Sequence, residues 1–327
     1  MKIIAFEVRN DELESFKKTE MEYQVEITYV CDALTKENAH LLEGFEYVSI
    51  LGFSKLDKDL IDRMKVYGVK AVSTRTIGYN HIDVDYATKA GIVISNANYA
   101  PNGVADYTIM LILMAMRNYK QALFRGNVND YSLAGLQGRE MRNMTIGIVG
   151  AGSIGAAVIR NLQGFGCEVL AYAGHPKKEL EGMCTFASMD EIYERCDIIS
   201  FHAPLTKDTY HMVNEETLAK MKDGVILINT ARGSLMELST LIKGIETKKI
   251  GALGLDVIEY EEGLYHRDLR SDIISNRDIA YLRQFPNVTM TQHMAFYTKE
   301  AVESMVRCGV ENLWECEKKG DCSLRIA

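Results

Sequence analysis

Along the chain, short aliphatic and β-branched runs alternate with segments whose apolar positions recur every three to four residues, the periods of strand and helix. Strand-like runs fall at 2–8, 24–30, 47–51, 70–74 and 92–96, with helical segments at 11–20, 35–42, 57–66 and 83–89. A second series has strands at 144–149, 168–173, 198–202, 225–230, 252–258 and 288–292, and helices at 156–166, 190–195 and 236–248. Ser188 followed by Glu191 reads as a capping box, and Asn214 as a further helix cap. Such alternation predicts an α/β fold of parallel sheets covered by helices. Two more helical stretches, 104–118 and 299–317, are placed to cross between two units, the second returning the chain to the first. The sequence has no repeat or low-complexity linker and only 4 prolines, so compact units joined by helices are expected.

The run 144–149 leads into Gly150-Ala151-Gly152-Ser153-Ile154-Gly155 and then into the helical segment 156–166. A bare GxGxxG is weak, because a Gly-rich turn also produces it, but a strand before it and a helix after it point to a dinucleotide site. Gly150 would allow the tight turn, Gly152 the approach of a pyrophosphate, and Gly155 close packing of helix on strand, with the helix N-terminus facing the phosphates.

Composition narrows the class. At 327 residues, 47% hydrophobic and 25% charged, the chain has globular usage and exceeds one ordinary core. A net charge of -8 argues against nucleic-acid or anionic-membrane partners. The 7 cysteines are scattered, without CxxC or a close His partner, so reduced thiols and no metal site are expected. The N-terminus turns acidic at Glu7 before a signal-peptide core forms, and 104–116 is too short to span a bilayer, so a cytoplasmic protein is expected.

Candidate chemistry gathers after the later strands, where open α/β sheets bind ligands. Thr230-Ala231-Arg232-Gly233 follows 225–229, Asp256 to Glu261 follows 252–255, and His293 lies beyond 288–290. An arginine, a carboxylate and a histidine on one edge suit interconversion of a 2-hydroxy acid and a 2-keto acid with a nicotinamide. The guanidinium clamps the substrate carboxylate and polarises its carbonyl, the imidazole exchanges a proton, and the carboxylate orients the imidazole and favours its charged form. Ordinary roles compete: Arg232 as a surface residue, His293 as a satisfied strand-end histidine, Glu261 as part of a solvated acidic run. Spacing alone does not single out Glu261.

Six motifs together resemble the D-isomer-specific 2-hydroxyacid dehydrogenase family over essentially the whole chain. They are Arg75-Thr76-Ile77-Gly78-Tyr79-Asn80, Tyr99 to Tyr107, the glycine loop, His202-Ala203-Pro204-Leu205-Thr206, Asn229 to Gly233, and His293-Met294-Ala295-Phe296-Tyr297. The sequence is most similar to the D-lactate dehydrogenase branch, including the type that accompanies vancomycin resistance.

The resemblance implies a discontinuous, flavodoxin-like substrate domain from 1–100 and 299–327 around a doubly wound NAD(P)-binding domain at 101–298, with the active site in the cleft. By motif, Arg232 would bind the substrate, His293 would be the acid/base and Glu261 its partner. Ile77 and Gly78 would hold the substrate carboxylate with Arg75 nearby, and Tyr99, Phe296 and Tyr297 would shape the side-chain pocket. Ser153, Ile154, His202, Ala203, Pro204, Thr209, Thr230, Ala231 and Asp256 would line the cofactor. A homodimer resting partly on 104–116 is expected.

Three positions depart from the family pattern. Ala173 stands where NAD-dependent members often carry an aspartate for the adenosine ribose, and His175, Lys177 and Lys178 follow it, so NADPH use at least comparable to NADH is expected. Gln292 replaces a common proline, and Met294 a small or β-branched residue. Two other functions remain open: a nucleotide-sensing, corepressor-like binding protein, and a formate or phosphoglycerate dehydrogenase. The intact Arg232, Glu261 and His293 set disfavours the first, and the aromatic pair Phe296-Tyr297 without a large extension disfavours the second.

Overall fold

Central parallel strands must be apolar on both faces, and the sequence supplies such strands. In the computed structural model, which describes residues 1–327, β1 (Lys2–Ala5), α1 (Leu13–Tyr23), β2 (Glu26–Tyr29), β3 (Tyr47–Ile50), α2 (Lys58–Val66), β4 (Ala71–Thr74), α3 (Val84–Ala90) and β5 (Val93–Ser95) come first. Both β3 and β4 are buried at every position. All pairings are parallel in the order β2-β1-β3-β4-β5, the flavodoxin-like order. The predicted helix at 35–42 is instead a loop ending in a short 3-10 turn, Ala39–Leu42. Asn38 explains this: its side chain accepts from the Thr35 amide at 2.8 Å and donates to the Ala33 carbonyl at 2.8 Å, competing with helical bonding.

The chain continues through α4 (Asn102–Met116), α5 (Tyr119–Asn127), β6 (Thr145–Val149), α6 (Ser153–Leu162), β7 (Glu168–Tyr172), β8 (Thr185–Phe186), α7 (Met189–Arg195) and β9 (Ile198–Phe201). It then forms α8 (Glu215–Lys220), β10 (Val225–Asn229), α9 (Leu238–Glu246), β11 (Ile250–Leu255), α10 (Arg277–Leu282), β12 (Val288–Met290) and α11 (Lys299–Lys319). The second sheet is parallel throughout, in the order β12-β11-β10-β9-β6-β7-β8, doubly wound about β6. The capping box at Ser188 and Glu191 forms, and Asn214 caps α8.

By contacts the chain divides into Met1–Ala100 with Tyr297–Ala327, and Pro101–Phe296. Helix α11 belongs to the first unit, where Val306, Val310 and Leu313 pack with Ile3, Ala5 and Phe16. Helix α4 belongs to the second, where Ala105, Leu111, Ile112 and Met116 join the core formed with α6 and β6. Asn118, in the left-handed region at φ 51°, ends that run, and α5 follows. Periodicity missed α5 because it buries no residue.

Candidate active site

The glycine turn is closed on one side and open on the other. Gly150 has φ 97°, and a Cβ there would lie 2.7 Å from the His202 carbonyl carbon and 2.8 Å from the Ala203 amide nitrogen. A Cβ on Gly155 would overlap the Gly150 carbonyl oxygen, so helix α6 approaches the turn only because that residue is glycine. Gly152 caps α6, and no atom lies within 4 Å of a Cβ built on it. Open space beside the unpaired first-turn amides at Ser153 and Ile154 fits a dinucleotide pyrophosphate. Beneath the turn, His202 Nε2 lies 2.9 Å from Ser200 Oγ, and burial pushes the imidazole down to about 4, leaving it neutral near pH 7. Thr209 Oγ1 donates to the Pro204 carbonyl at 2.6 Å and accepts from the Thr206 amide at 2.8 Å, which fixes the 204–209 loop. At the end of β7, Ala173 is half-buried and His175 and Lys178 are exposed.

Three adjacent strands end in the chemistry-bearing residues. After β10, Asn229 shapes the turn: its Oδ1 accepts from the Ala231 amide at 3.0 Å, and its Nδ2 donates to the Arg232 carbonyl at 2.9 Å. After β11, Glu261 Oε2 accepts from the Ile258 amide at 2.9 Å. Glu261 Oε1 meets His293 Nδ1 at 2.6 Å. An acceptor-only carboxylate makes Nδ1 the donor, which leaves Nε2 as the working nitrogen. No protein group bonds that Nε2. His293 itself sits at φ 51°, a conformation held by the hydrogen bond its amide donates to the Asp256 carbonyl at 2.8 Å.

Asp256 has a role that sequence reasoning missed. It is fully buried, and its carboxylate accepts from Thr291 Oγ1 at 2.6 Å, the Met294 amide at 2.9 Å and the Ala295 amide at 2.8 Å. It therefore builds the loop that carries His293. Tyr107 on α4 hydrogen-bonds Thr291, and Thr108 Oγ1 lies 3.0 Å from Thr230 Oγ1. Lys120 Nζ donates to the carbonyls of Arg283, Phe285 and Val288 at 2.7–2.8 Å, anchoring the start of β12. Only the tertiary fold brings these partners together; no local pattern marks them.

Arg75 corrects an expectation. It is fully buried, and its guanidinium donates to Glu12 Oε1 at 3.0 Å, Ser49 Oγ at 3.0 Å, the Phe6 carbonyl at 2.9 Å and the Glu7 carbonyl at 3.2 Å. With four of its five N–H groups taken inside the first unit, it is a structural arginine and not a substrate ligand. Arg232 is half-buried and makes one such bond, Nη1 to the Ala231 carbonyl at 2.7 Å. Beside Arg75, Thr76 Oγ1 donates to the Gly78 carbonyl at 2.6 Å and Asn96 Nδ2 to the Ile77 carbonyl at 2.9 Å, while the amides of Ile77 and Gly78 have no protein acceptor. Tyr99 is half-buried, and Tyr297 lies under the Arg9 guanidinium and hydrogen-bonds Asp11. Phe296 stands edge-on to His293 with ring centroids 6.5 Å apart.

Residues 109–295 match the family model for the D-isomer specific 2-hydroxyacid dehydrogenase NAD binding domain. The chain belongs to the D-isomer-specific 2-hydroxyacid dehydrogenase family. It is 41% identical over 324 residues to an aromatic 2-oxoacid reductase of Clostridium sporogenes, covering 98% of each chain. To a D-specific alpha-keto acid dehydrogenase of Enterococcus faecium it is 36% identical over 317 residues, covering 97% of each. A D-lactate dehydrogenase of Treponema pallidum superposes with a TM-score of 0.90 at 30% identity, covering all of both chains. As a D-2-hydroxyacid dehydrogenase, the protein is an oxidoreductase that interconverts 2-keto and D-2-hydroxy acids with a nicotinamide cofactor. No helix is long and apolar enough to cross a membrane.

Proposed function

We propose that the protein reduces 2-oxo monocarboxylic acids through His293 and Arg232, with phenylpyruvate-like aromatic acids preferred to pyruvate. The observation that carries the catalytic assignment is the histidine held at Nδ1 by Glu261 at 2.6 Å with its Nε2 left for substrate. Its protonated Nε2 donates to the keto oxygen, Arg232 takes the carboxylate and stabilises charge on that oxygen, and Glu261 keeps the ring oriented. The bound nicotinamide supplies the hydride. Ser153, Ile154, Ala203, Pro204, Thr209, Thr230 and Ala231 would line the cofactor, whereas Asp256, expected there too, is fully buried and serves the loop that carries His293. Phe296 walls the substrate side chain, and the Ile77 and Gly78 amides offer a carboxylate two donors. The preference for an aromatic side chain is supported by the 41% identity to an aromatic 2-oxoacid reductase.

NADPH is used at least comparably to NADH, because Ala173 offers no carboxylate to repel a 2'-phosphate and His175, Lys177 and Lys178 follow it. The protein works in the cytoplasm as a homodimer. Most of α4 is spent in its own core, so the second copy covers the exposed Leu123, Phe124, Val128, Tyr131 and Leu133 beyond it.

The test follows cofactor absorbance with pyruvate, 2-oxoisocaproate and phenylpyruvate, each with NADH and NADPH. Phenylpyruvate is expected to exceed pyruvate roughly tenfold in kcat/KM, the scale on which an apolar pocket discriminates. A pyruvate preference overturns the substrate class, a strong NADH preference overturns the cofactor proposal, and no turnover with any pair favours a nucleotide-sensing binding protein.

A further inference from the structure

A second histidine–carboxylate pair lies in the unit that carries the first. His211 Nε2 and Glu259 Oε1 are 2.6 Å apart, and the Glu259 side chain is only 4% exposed. A carboxylate so buried is costly unless it is paired. Glu259 is paired twice, because its other oxygen accepts from the amide of Leu238, the first residue of α9, at 3.2 Å. His211 is equally constrained. Its amide donates to the Ser234 carbonyl at 2.9 Å, its carbonyl accepts from Asn214 Nδ2 at 3.0 Å, and its ring stacks on Tyr210 at 3.9 Å.

The position of the pair gives it a consequence for the chemistry. Glu259 lies two residues before Glu261, in the turn closed by the Ile258 amide on Glu261 Oε2 at 2.9 Å. Gly233, which follows Arg232, presses on the same turn: a Cβ there would overlap the Ile258 carbonyl group and stand 2.5 Å from the Glu259 amide nitrogen. The Glu259 carboxylate thus ties the turn bearing Glu261 to the 211–214 segment and to the start of α9.

We propose that His211 and Glu259 form a positioning pair that sets where Glu261 stands against His293. The proposal rests on the assignment of His293 as the acid/base and deepens it. Neither residue acts on the substrate; both act through Glu261. Releasing Glu259 lets the turn shift and draws the Glu261 carboxylate away from the imidazole.

The test compares kcat for 2-oxo acid reduction across the histidine range in wild type, His211→Ala, Glu259→Gln and the double variant His211→Leu/Glu259→Leu, with NADH affinity measured by fluorescence. The double variant leaves no buried charge unpaired, so it decides the question if His211→Ala does not fold. Displacement of Glu261 is expected to lower kcat roughly tenfold to a hundredfold in His211→Ala and the double variant, with NADH affinity held. Their basic limb departs from that of wild type, as expected when the carboxylate that orients the donor ring has moved. Glu259→Gln keeps an acceptor for Leu238 and a partner for His211, so it retains the wild-type limb. An unmoved limb in the folded variants, with activity lost evenly at all pH, overturns the proposal, and so does an equally shifted limb in Glu259→Gln. His293→Gln serves as the control: if it retains near-normal turnover, the acid/base assignment itself fails, whereas an inactive His293→Gln with an unmoved limb elsewhere rejects the positioning pair alone.

Discussion

Arg75 and Arg232 differ in how many of their N–H groups the protein itself takes. Arg75, fully buried, gives four of its five to its own unit, and Arg232, half-buried, gives one, so the second is the arginine that can reach a substrate. Arg232→Leu is therefore expected to lower kcat/KM by about a thousandfold, with NADH affinity little changed. Arg75→Leu takes from the buried Glu12 its 3.0 Å ion pair and leaves it only the Arg9 amide at 2.9 Å and the Arg9 guanidinium at 3.9 Å, and is expected to lower the melting temperature without raising KM. The reverse pattern would contradict both assignments. At His202 the pH dependence has a definite sign. Its folded value of about 4 lies below that of an unfolded imidazole, so the unfolded chain takes the proton first as pH falls. Its contribution is full above about pH 6.5 and is lost towards pH 4, on the order of 2 kcal/mol after discounting for partial exposure. His202→Asn should flatten this acid limb of melting temperature against pH, and an unchanged limb would contradict the assignment. The sequence motifs exposed both arginines as candidates but could not separate them, because Glu12 and Ser49 lie far from Arg75 along the chain and meet it only on folding.

Elements were legible where burial enforces a period. Strands β3, β4 and β10 are buried throughout, and their apolar runs marked them. Helix α5 buries nothing and left no stripe to read, while the 35–42 segment carried a helical pattern that Asn38 breaks by bonding the backbone. The glycine turn was legible because strand, turn and helix lie in sequence. Its tolerance to change follows from the close approach of α6 to Gly150. Gly155→Ala must push the helix off that carbonyl, an overpacking cost of roughly 1 to 3 kcal/mol, and move the first-turn amides from their place. Weakened NADH binding, read by fluorescence titration, together with a lower melting temperature is the expected result. Unchanged affinity would show that the turn does not seat the cofactor.

At the scale of the whole molecule, strand–helix alternation predicted parallel sheets and two units, and both sheets are parallel. The strand orders are not readable from periodicity, since they depend on which crossover packs on which face. Likewise Glu261 stood unmarked in an acidic run until the fold set it against His293 at 2.6 Å. Motif likeness selected that residue; geometry supplies the physical reason. The central claim is that this histidine, held by that carboxylate, gives the proton in 2-oxo acid reduction. The most direct measurement is the single-turnover reduction rate of His293→Gln, with NADH affinity measured on the same protein. A rate lower by a factor on the order of a thousand with NADH affinity intact is the predicted result. A rate close to wild type would contradict it.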